Sequence, residues 1–314
     1  MSDRFAICVD GGGTKTDAWL VRFDARGTAH VLGRGRGASS NPRAVGLEIA
    51  LHNLGAAIDA AWADAKLGSF TVDVALLALS GAGHQSMRDK IALWADRRQL
   101  ATTVRFEHDV EPVLAEGTPA GWGAALIVGT GSAAIGVSPG GQRLVVGGWG
   151  YHYGDEGSAY WIGRRALEAV ARAADGRAQP TAITAAVLER LQVSEPRAML
   201  GALEQTGNVR GAIASLADCV ERSAGEGDAV ALHIVHDAAD ELAAMVGTLV
   251  EQLQLGRSFP LALAGGVICG SERLRVRLMG RLSALSLKPD PVTTVAQPVA
   301  GCVKLAWRAL PAPP

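Results

Sequence analysis

One repeated pattern limits the folds open to this chain more than any other feature. An apolar strand, Phe5–Val9, runs into a glycine turn at Asp10–Gly13, and a second, Ala124–Val128, runs into a similar turn at Gly129–Ser132. In both places a further strand follows the turn, so "strand, glycine turn, hairpin" occurs twice. The pattern predicts an architectural duplication, two related halves with a cleft between them. Two unrelated α/β domains are the alternative that it leaves open.

The remainder of the first half reads as a mixed sheet with covering helices. Periodicity and turn residues predict strands at Ala18–Phe23, Ala29–Leu32, Val72–Leu79 and Val104–Glu107, and helices at Val45–Ala65 and Ser86–Arg98. Antiparallel strands followed by strand–helix–strand units are typical of an α/β fold.

The second half repeats this order with a longer helical segment. Its predicted strands are Ala134–Val137, Leu144–Val146, Leu261–Ala264 and Val292–Val295, and its predicted helices are Tyr160–Ala173, Thr181–Leu191, Arg197–Gln205, Val209–Ala224, Ala229–Leu253, Glu272–Leu285 and Val299–Leu310. The five helices between the hairpin and Leu261 indicate an insertion in the second half.

Composition excludes several classes of protein. The 314 residues are 48% hydrophobic and carry a formal net charge of −1, which argues against a disordered chain and against a broad nucleic-acid surface. No apolar stretch reaches the roughly 18 residues that a membrane span needs, and no hydrophobic leader is apparent. The four cysteines form no CxxC pair, which disfavours a zinc ribbon or an iron–sulfur cluster. We therefore expect a cytoplasmic protein that binds neither nucleic acid nor membrane.

The turn after Phe5–Val9 is the strongest local signal for chemistry. Its glycines allow backbone amides to point at an anion, and Thr14 and Lys15 add donors and a positive charge. Asp10 cannot bind a phosphate itself, because like charges repel, but it can hold a hydrated Mg²⁺ that meets the phosphates. An ordinary glycine-rich hairpin turn is the alternative reading.

The second turn fits the dinucleotide pattern GxGxxA only superficially. That fingerprint requires a helix directly after the turn, whereas Ala134–Val137 continues as a strand. A second phosphate-binding hairpin explains the same residues. Gly265 and Gly266, after the strand Leu261–Ala264, bring a backbone close to a nucleobase or ribose, or form a plain strand-to-helix turn.

Taken together, these motifs resemble a known family. DGGGTKTD, VGTGS, GGWGxxxGDEGSAYWIG and LAGGV resemble the N-acetylglucosamine kinase group of the superfamily of sugar kinases, heat-shock chaperone ATPases and actin. The group is similar to the benzoyl-CoA reductase activator-type ATPases. The resemblance implies a duplicated ribonuclease H-like (actin-like ATPase) two-domain fold with an interdomain cleft. It would place the first domain at 1–118 plus about 297–314, and the second, with a helical insertion, at 119–296.

The resemblance also implies roles for individual residues. ATP would contact the two glycine turns and the later glycine pair, at Gly12, Gly13, Thr14, Lys15, Gly129, Thr130, Gly131, Gly265 and Gly266. The sugar would be bordered by Asn41, Asp109, Ser132, Ala133, Gly148, Trp149, Gly150, Tyr151, His152 and Asp155. Asp109 would be the catalytic base, although Val110-Glu111-Pro112 departs from the small residues usual after it. Helix capping is the alternative role for Asp109 and for Asp155.

The implied activity is ATP- and Mg²⁺-dependent phosphorylation of the primary (6-) hydroxyl of N-acetylglucosamine, by a homodimer. Phosphoryl transfer to an alcohol needs charge neutralisation on the phosphate and a carboxylate near the attacking hydroxyl, which Asp10 with Mg²⁺ and Asp109 would supply. Glucosamine or a muramic-type sugar remains open as the acceptor. An ATP-driven regulator of the reductase-activator type is the alternative from another class, disfavoured because the cysteines do not match a shared cluster.

Overall fold

The computed structural model describes residues 3–310, which form two compact units. One unit comprises the described residues up to Gly121 together with those from Gln297, and the other comprises Trp122–Ala296. Residues 1–2 and 311–314 of the predicted first domain lie outside the described part of the chain.

The first unit is a five-stranded mixed sheet covered by helices. Its elements are β1 (Arg4–Gly11), β2 (Lys15–Phe23), β3 (Ala29–Ala38), α1 (Pro42–Val45), α2 (Leu47–Ala65), β4 (Val72–Leu79), α3 (Gln85–Arg97), β5 (Ala101–Glu107) and α4 (Glu111–Gly117). The strand order is β3-β2-β1-β4-β5; β1, β2 and β3 are antiparallel neighbours, whereas β1, β4 and β5 run parallel. Parallel neighbours end at the same edge of a sheet, which determines where the functional residues lie.

The second unit repeats this topology. Its elements are β6 (Gly123–Val128), β7 (Ser132–Val137), β8 (Arg143–Gly147), α5 (Ala159–Ala174), α6 (Ile183–Leu191), α7 (Met199–Glu204), α8 (Val209–Ser215), α9 (Ala217–Gly225), α10 (Ala229–Gln252), β9 (Leu261–Ala264), α11 (Gly266–Gly270), α12 (Glu272–Ala284) and β10 (Val292–Val295). The strand order β10-β9-β6-β7-β8, read in reverse, matches that of the first unit strand for strand. The predicted duplicated α/β fold is therefore confirmed.

A last helix, α13 (Val299–Ala309), returns to the first unit and covers the second face of its sheet. Alternate residues of β1 point to opposite faces of the sheet and belong to two different hydrophobic cores. Ile7 and Val9 pack with α2 and α3, whereas Ala6 and Cys8 pack with α13. A strand buried on both faces reads as a continuous apolar run, which is why Phe5–Val9 stands out in the sequence.

The third strand is longer than predicted. The prediction ended it at Leu32, but β3 continues to Ala38 through Gly33, Gly35 and Gly37. A Cβ at Gly35 would collide with the carbonyl oxygen of Ala57 in α2, and one at Gly33 with that of Ala61. Glycine at alternate positions lets the helix lie against the strand backbone, so these residues belong to the strand instead of ending it.

No helix within residues 3–310 combines the length and apolarity that a membrane crossing requires.

Candidate functional site

The carboxyl edge of the first sheet brings two predicted carboxylates together. Asp10 in β1 is in register with Ala78 in β4, which is in register with Glu107 in β5, and Asp109 follows two residues later. Asp10 is partly buried, and its desolvation, with the nearby charges of Asp109 and Asp17, raises its pKa to about 7. An acidic group held at this cost in the first glycine turn is suited to a cation.

Asp109 follows β5 directly and is partly open to solvent. Its Oδ1 lies 2.9 Å from Nδ1 of His108, and its side chain is 28% exposed. The hydrogen bond to Asp109 raises the pKa of His108 above its usual value. The next helix, α4, has Val110 at its N-cap position, with no side-chain capping bond. Asp109 is therefore an accessible carboxylate at the sheet edge rather than the cap of α4.

The first glycine turn is a hairpin turn fixed by its neighbours. The amide of Gly12 donates to the carbonyl oxygen of Lys15 at 2.9 Å, and the Ser39 hydroxyl donates to that of Gly12 at 3.1 Å. Gly13 and Thr14 are exposed. The Lys15 ammonium lies 2.7 Å from Asp17, which also accepts from Arg36 at 2.8 Å. Lys15 is therefore already ion-paired, and Arg36 adds a second positive charge that the sequence analysis did not identify.

Asn41 lies at the same edge of the first sheet, next to the end of β4. Its Nδ2 donates to the hydroxyl of Ser80 at 3.2 Å, and its Oδ1 accepts from the amide of Arg43 at 2.9 Å, so it also caps α1. Gly81 has a φ of 78°, and a Cβ there would collide with Asn41. The structure thus places Asn41 beside the end of β4, as expected for a residue at the edge that holds Asp10 and Asp109.

The second glycine turn is tied to the start of α5. The amide of Ala159 donates to Gly129 at 2.9 Å, and that of Tyr160 donates to Thr130 at 3.3 Å. The turn closes on itself through a 2.9 Å bond from the Gly129 amide to the carbonyl oxygen of Gly131. These bonds fix the backbone of the turn at the N-terminus of α5, where the helix dipole favours negative charge.

Asp155 lies against this turn. Its side chain is only 5% exposed, and its Oδ1 accepts from the amide of Ser132 at 3.4 Å. A Cβ on Gly131 would lie 2.8 Å from Oδ2 of Asp155. Burial raises the pKa of Asp155, while the Ser132 amide and the positive charge of Arg210 oppose that rise. Its φ of 58° is left-handed, a backbone conformation that recurs at functional sites.

Capping does not explain Asp155. The N-cap of α5 is Ser158, whose hydroxyl accepts from the amide of Trp161 at 3.2 Å. The carboxylate of Asp155 instead approaches Nη2 of Arg210 in α8, at 3.3 Å.

The loop after β8 carries the other residues predicted to border the sugar. The amide of Gly148 donates to Ser132 at 3.0 Å, and a Cβ on Gly148 would lie 3.2 Å from that of Ala133. Trp149 is 72% exposed, and the Tyr151 ring contacts that of His152 at 4.1 Å. Gly150 has a φ of 93°, which only glycine adopts readily. Gly148 and Asp155 thus both contact Ser132, and Tyr151 contacts His152.

Gly265 and Gly266 lie at the end of β9. Gly265 has a φ of 100°, and a Cβ there would collide with the backbone of Val128. Gly266 and Val267 line a cavity of about 160 Å³ whose wall also includes Glu221 and Ser271. Oε2 of Glu221 accepts from the Ser271 hydroxyl at 2.9 Å. The sequence analysis did not identify Glu221, because helix α9 comes from a distant segment.

A magnesium ion fits this chain only with help from water and phosphate. Within residues 3–310, no group of three or more His, Cys, Asp or Glu side chains is arranged to hold a metal. Mg²⁺ commonly uses one or two carboxylates, several waters and substrate phosphates instead. Asp10, a partly buried carboxylate at the glycine turn with a raised pKa, suits that mode of binding.

Comparison with known proteins identifies the family of this chain. Residues 7–276 match the model of the BadF/BadG/BcrA/BcrD ATPase family. The chain belongs to that family. The resemblance drawn from the sequence motifs is therefore confirmed.

Curated relatives and a solved structure extend the similarity over nearly the whole chain. The sequence is 29% identical to an N-acetylmuramic acid/N-acetylglucosamine kinase of Clostridium acetobutylicum, over 84% of this chain and 86% of that protein. It is 27% identical to an N-acetyl-D-glucosamine kinase of Dictyostelium discoideum, over 98% of both. A structure from Chromobacterium violaceum, provisionally assigned as an N-acetylglucosamine kinase, superposes with a TM-score of 0.79 at 26% identity, covering 96% of this chain and 98% of that one.

Proposed function

We propose that this protein is an ATP-dependent amino-sugar kinase that phosphorylates the 6-hydroxyl of N-acetylglucosamine. Membership of an ATPase family and similarity to two full-length amino-sugar kinases support the reaction class. The 6-hydroxyl is the finer part of the proposal, since it follows from the resemblance of the sequence motifs.

The position of Asp109 is the observation that carries the proposal. Transfer to an alcohol needs a carboxylate that accepts the hydroxyl proton as the phosphoryl group arrives. Asp109 follows β5, which lies two strands from the strand of Asp10 in the same sheet; it is partly exposed and lies 2.9 Å from His108. In the proposed reaction its carboxylate takes the proton of the attacking sugar hydroxyl.

The glycine turns are assigned to the polyphosphate. Gly12, Gly13 and Thr14 offer an exposed turn, and the Lys15–Asp17–Arg36 group places two cations beside it. Gly129, Thr130 and Gly131 form a turn at the N-terminus of α5. Mg²⁺ near Asp10 would neutralise phosphate charge. The cavity beside Gly266 is assigned to the adenosine, whose hydroxyls could bond to Glu221.

The sugar is assigned to the residues around Ser132 together with Asn41 and Asp109. We assign the sugar hydroxyls to Asp155, because its two carboxylate oxygens, carried by a short side chain on a fixed backbone, can accept a pair of hydrogen bonds. Its burial and left-handed backbone keep those oxygens in one place. Tyr151 supplies an aromatic surface that packs on Arg210, the partner of Asp155, and Trp149 supplies a further exposed ring in the same loop.

N-acetylmuramic acid is a second candidate acceptor, favoured by the similarity to the Clostridium acetobutylicum enzyme. The test is ADP release by purified protein with Mg²⁺-ATP and a panel of N-acetylglucosamine, N-acetylmuramic acid, glucosamine, N-acetylmannosamine and glucose. We expect the highest kcat/KM with N-acetylglucosamine, and phosphorus NMR coupling to the C6 protons of the product.

Each other result has a defined meaning. Coupling at another carbon would refute the 6-hydroxyl assignment, and preference for N-acetylmuramic acid or glucosamine would select that acceptor. ATP hydrolysis that no sugar stimulates would refute the kinase proposal and favour an ATP-driven regulator.

A further inference from the structure

An arginine from the helical insertion reaches the buried carboxylate of the second unit. Arg210, in α8, places Nη2 3.3 Å from Oδ2 of Asp155, which lies 55 residues earlier in the chain. The arginine side chain is 33% exposed, whereas that of Asp155 is 5% exposed. This ion pair is therefore much less screened by solvent than the surface pairs of the insertion, such as Arg222–Glu189 at 53% and 74% exposure.

The guanidinium is also packed on an aromatic ring. Its Cζ lies 4.9 Å from the centre of the Tyr151 ring, which in turn lies 5.1 Å from the ring of Tyr160. The amide of Tyr160 donates to Thr130 in the second glycine turn. Arg210 thus links Tyr151 in the loop after β8, the second glycine turn and Asp155 in one contiguous set of contacts.

The guanidinium is not fully satisfied by these contacts. Nε of Arg210 is buried and has no hydrogen-bond partner within residues 3–310. The contacts that orient the guanidinium are the Asp155 carboxylate and the Tyr151 ring, both of which belong to the candidate sugar site.

The surroundings of Asp155 show what the arginine contributes. The Ser132 and Gly150 amides donate to the carboxylate, burial and the neighbouring Glu156 disfavour its ionised form, and Arg210 from α8 is the cation acting on it. A protonated Asp155 would accept fewer hydroxyl bonds, and an unanchored one would no longer hold its orientation.

We propose that Arg210 is a positioning residue for the acceptor sugar, which acts by holding the Asp155 carboxylate in the orientation and charge state that accept the sugar hydroxyls. The inference rests on the proposed function and adds to it a residue from the insertion. It assigns Arg210 to sugar binding and gives it no part in ATP binding.

The test is steady-state kinetics of Arg210→Gln with N-acetylglucosamine and ATP varied in turn. We expect KM for the sugar to rise about tenfold or more, the range for loss of a charged hydrogen bond, with KM for ATP within about twofold of wild type. The acid limb of the pH profile of kcat/KM for the sugar should also move to higher pH, because Asp155 loses the cation that favours its ionised form. Arg210→Lys should restore part of the sugar affinity, since it keeps the charge but lacks the planar fork.

Arg222→Gln is the matched control, since it removes an exposed arginine pair from the same insertion. It should leave both KM values unchanged. Equal sugar KM and pH profile in Arg210→Gln and wild type would refute the inference, as would a parallel rise in both KM values. A wild-type enzyme that phosphorylates no sugar would instead refute the proposed function. Should Arg210→Gln fail to fold, Arg210→Lys decides the matter, because an unchanged sugar KM there contradicts positioning by the guanidinium.

Discussion

Nδ1 of His108 lies 2.9 Å from Oδ1 of the adjacent Asp109, so the candidate base carries its own titratable partner. Burial and the positive charge of Arg88 lower the pKa of His108, but the hydrogen bond to Asp109 outweighs both and raises it. The pair therefore stabilises the fold below the unfolded-state pKa of about 6.5, and this contribution is lost as the pH rises through the higher folded-state pKa.

We expect Asp109→Asn to lower kcat for sugar phosphorylation by at least about a hundredfold, which is the lower end for loss of a positioned general base. Asparagine keeps the shape of the side chain but does not accept the hydroxyl proton. The measurement is kcat at saturating sugar and ATP, with the melting temperature as a check on folding. Near-normal turnover in a folded variant would exclude Asp109 as the base.

The His108 pair gives a pH dependence that can be tested separately. When protonated, His108 donates a charged hydrogen bond to Asp109, and the carboxylate then accepts the hydroxyl proton less readily. We therefore expect kcat to rise with pH as His108 loses its proton, through a pKa above about 6.5. Replacing His108 by Gln leaves a neutral hydrogen-bonding group, and we expect the acid limb of the kcat profile to move to lower pH. An unchanged profile in His108→Gln would show that this histidine does not modulate the reaction.

Asp10 gives a prediction in which stability and activity change in opposite directions. Because its pKa is raised to about 7, the folded state holds a proton that the unfolded state has already lost at pH values above about 4. The free energy of unfolding therefore falls as the pH rises from about 4 to 7, and Asp10→Asn removes this penalty. In metal-free buffer at pH 8 we expect the variant to be more stable by a few kcal/mol, since each pKa unit corresponds to about 1.4 kcal/mol.

The same variant should lose most of its Mg²⁺-dependent turnover, and EDTA should abolish turnover in the wild type. The readouts are urea unfolding at pH 5 and pH 8 and ADP release with varied Mg²⁺. A stability difference that did not grow between the two pH values would contradict the raised pKa. Full activity in Asp10→Asn would remove this residue from metal binding.

Gly131 tests whether the second turn and Asp155 work as a unit. A Cβ at this position would lie 2.8 Å from Oδ2 of Asp155, so Gly131→Ala must displace the carboxylate. We expect KM for the sugar to rise at least about tenfold, since a carboxylate moved by a few tenths of an ångström loses its charged hydrogen bonds. Gly201→Ala in α7 is the control, because among residues 3–310 no side chain or other segment lies within 4 Å of its Cβ position. Equal kinetics for the two variants would argue against a sugar-binding role for Asp155.

The features predicted correctly from sequence are those encoded locally. The strands Val72–Leu79, Leu261–Ala264 and Val292–Val295 have the predicted bounds, because each is a short apolar or β-branched run between turn residues. The glycine turns were recognisable for the same reason. By contrast, the helix predicted at Val209–Ala224 is broken at Leu216 into α8 and α9. The break could not be predicted because no glycine or proline stands at that position.

Long-range pairing was not predictable. Nothing local to Arg210 indicates that it meets Asp155, and the Ser271 and Arg273 contacts of Glu221 likewise join separate segments. The pairing of Arg36 with Asp17 depends on the register between β2 and β3, whereas Lys15 lies two residues from Asp17 in β2 itself. The sequence prediction ends the third strand at Leu32, before its glycines, and therefore does not include the part that holds Arg36.

Those glycines give the last prediction. A Cβ at Gly35 would collide with the carbonyl oxygen of Ala57, and α2 would have to move away from the sheet. We expect Gly35→Ala to destabilise the protein by about 1–3 kcal/mol, the usual range for overpacking a well-filled interior. Gly68→Ala, between α2 and β4, is the control. In the described part of the chain its Cβ position has no neighbour within 4 Å apart from the adjacent residues, so it should change stability little. Urea unfolding of both variants measures the difference, and equal stability would mean that α2 does not need the alternating glycines to lie against β3.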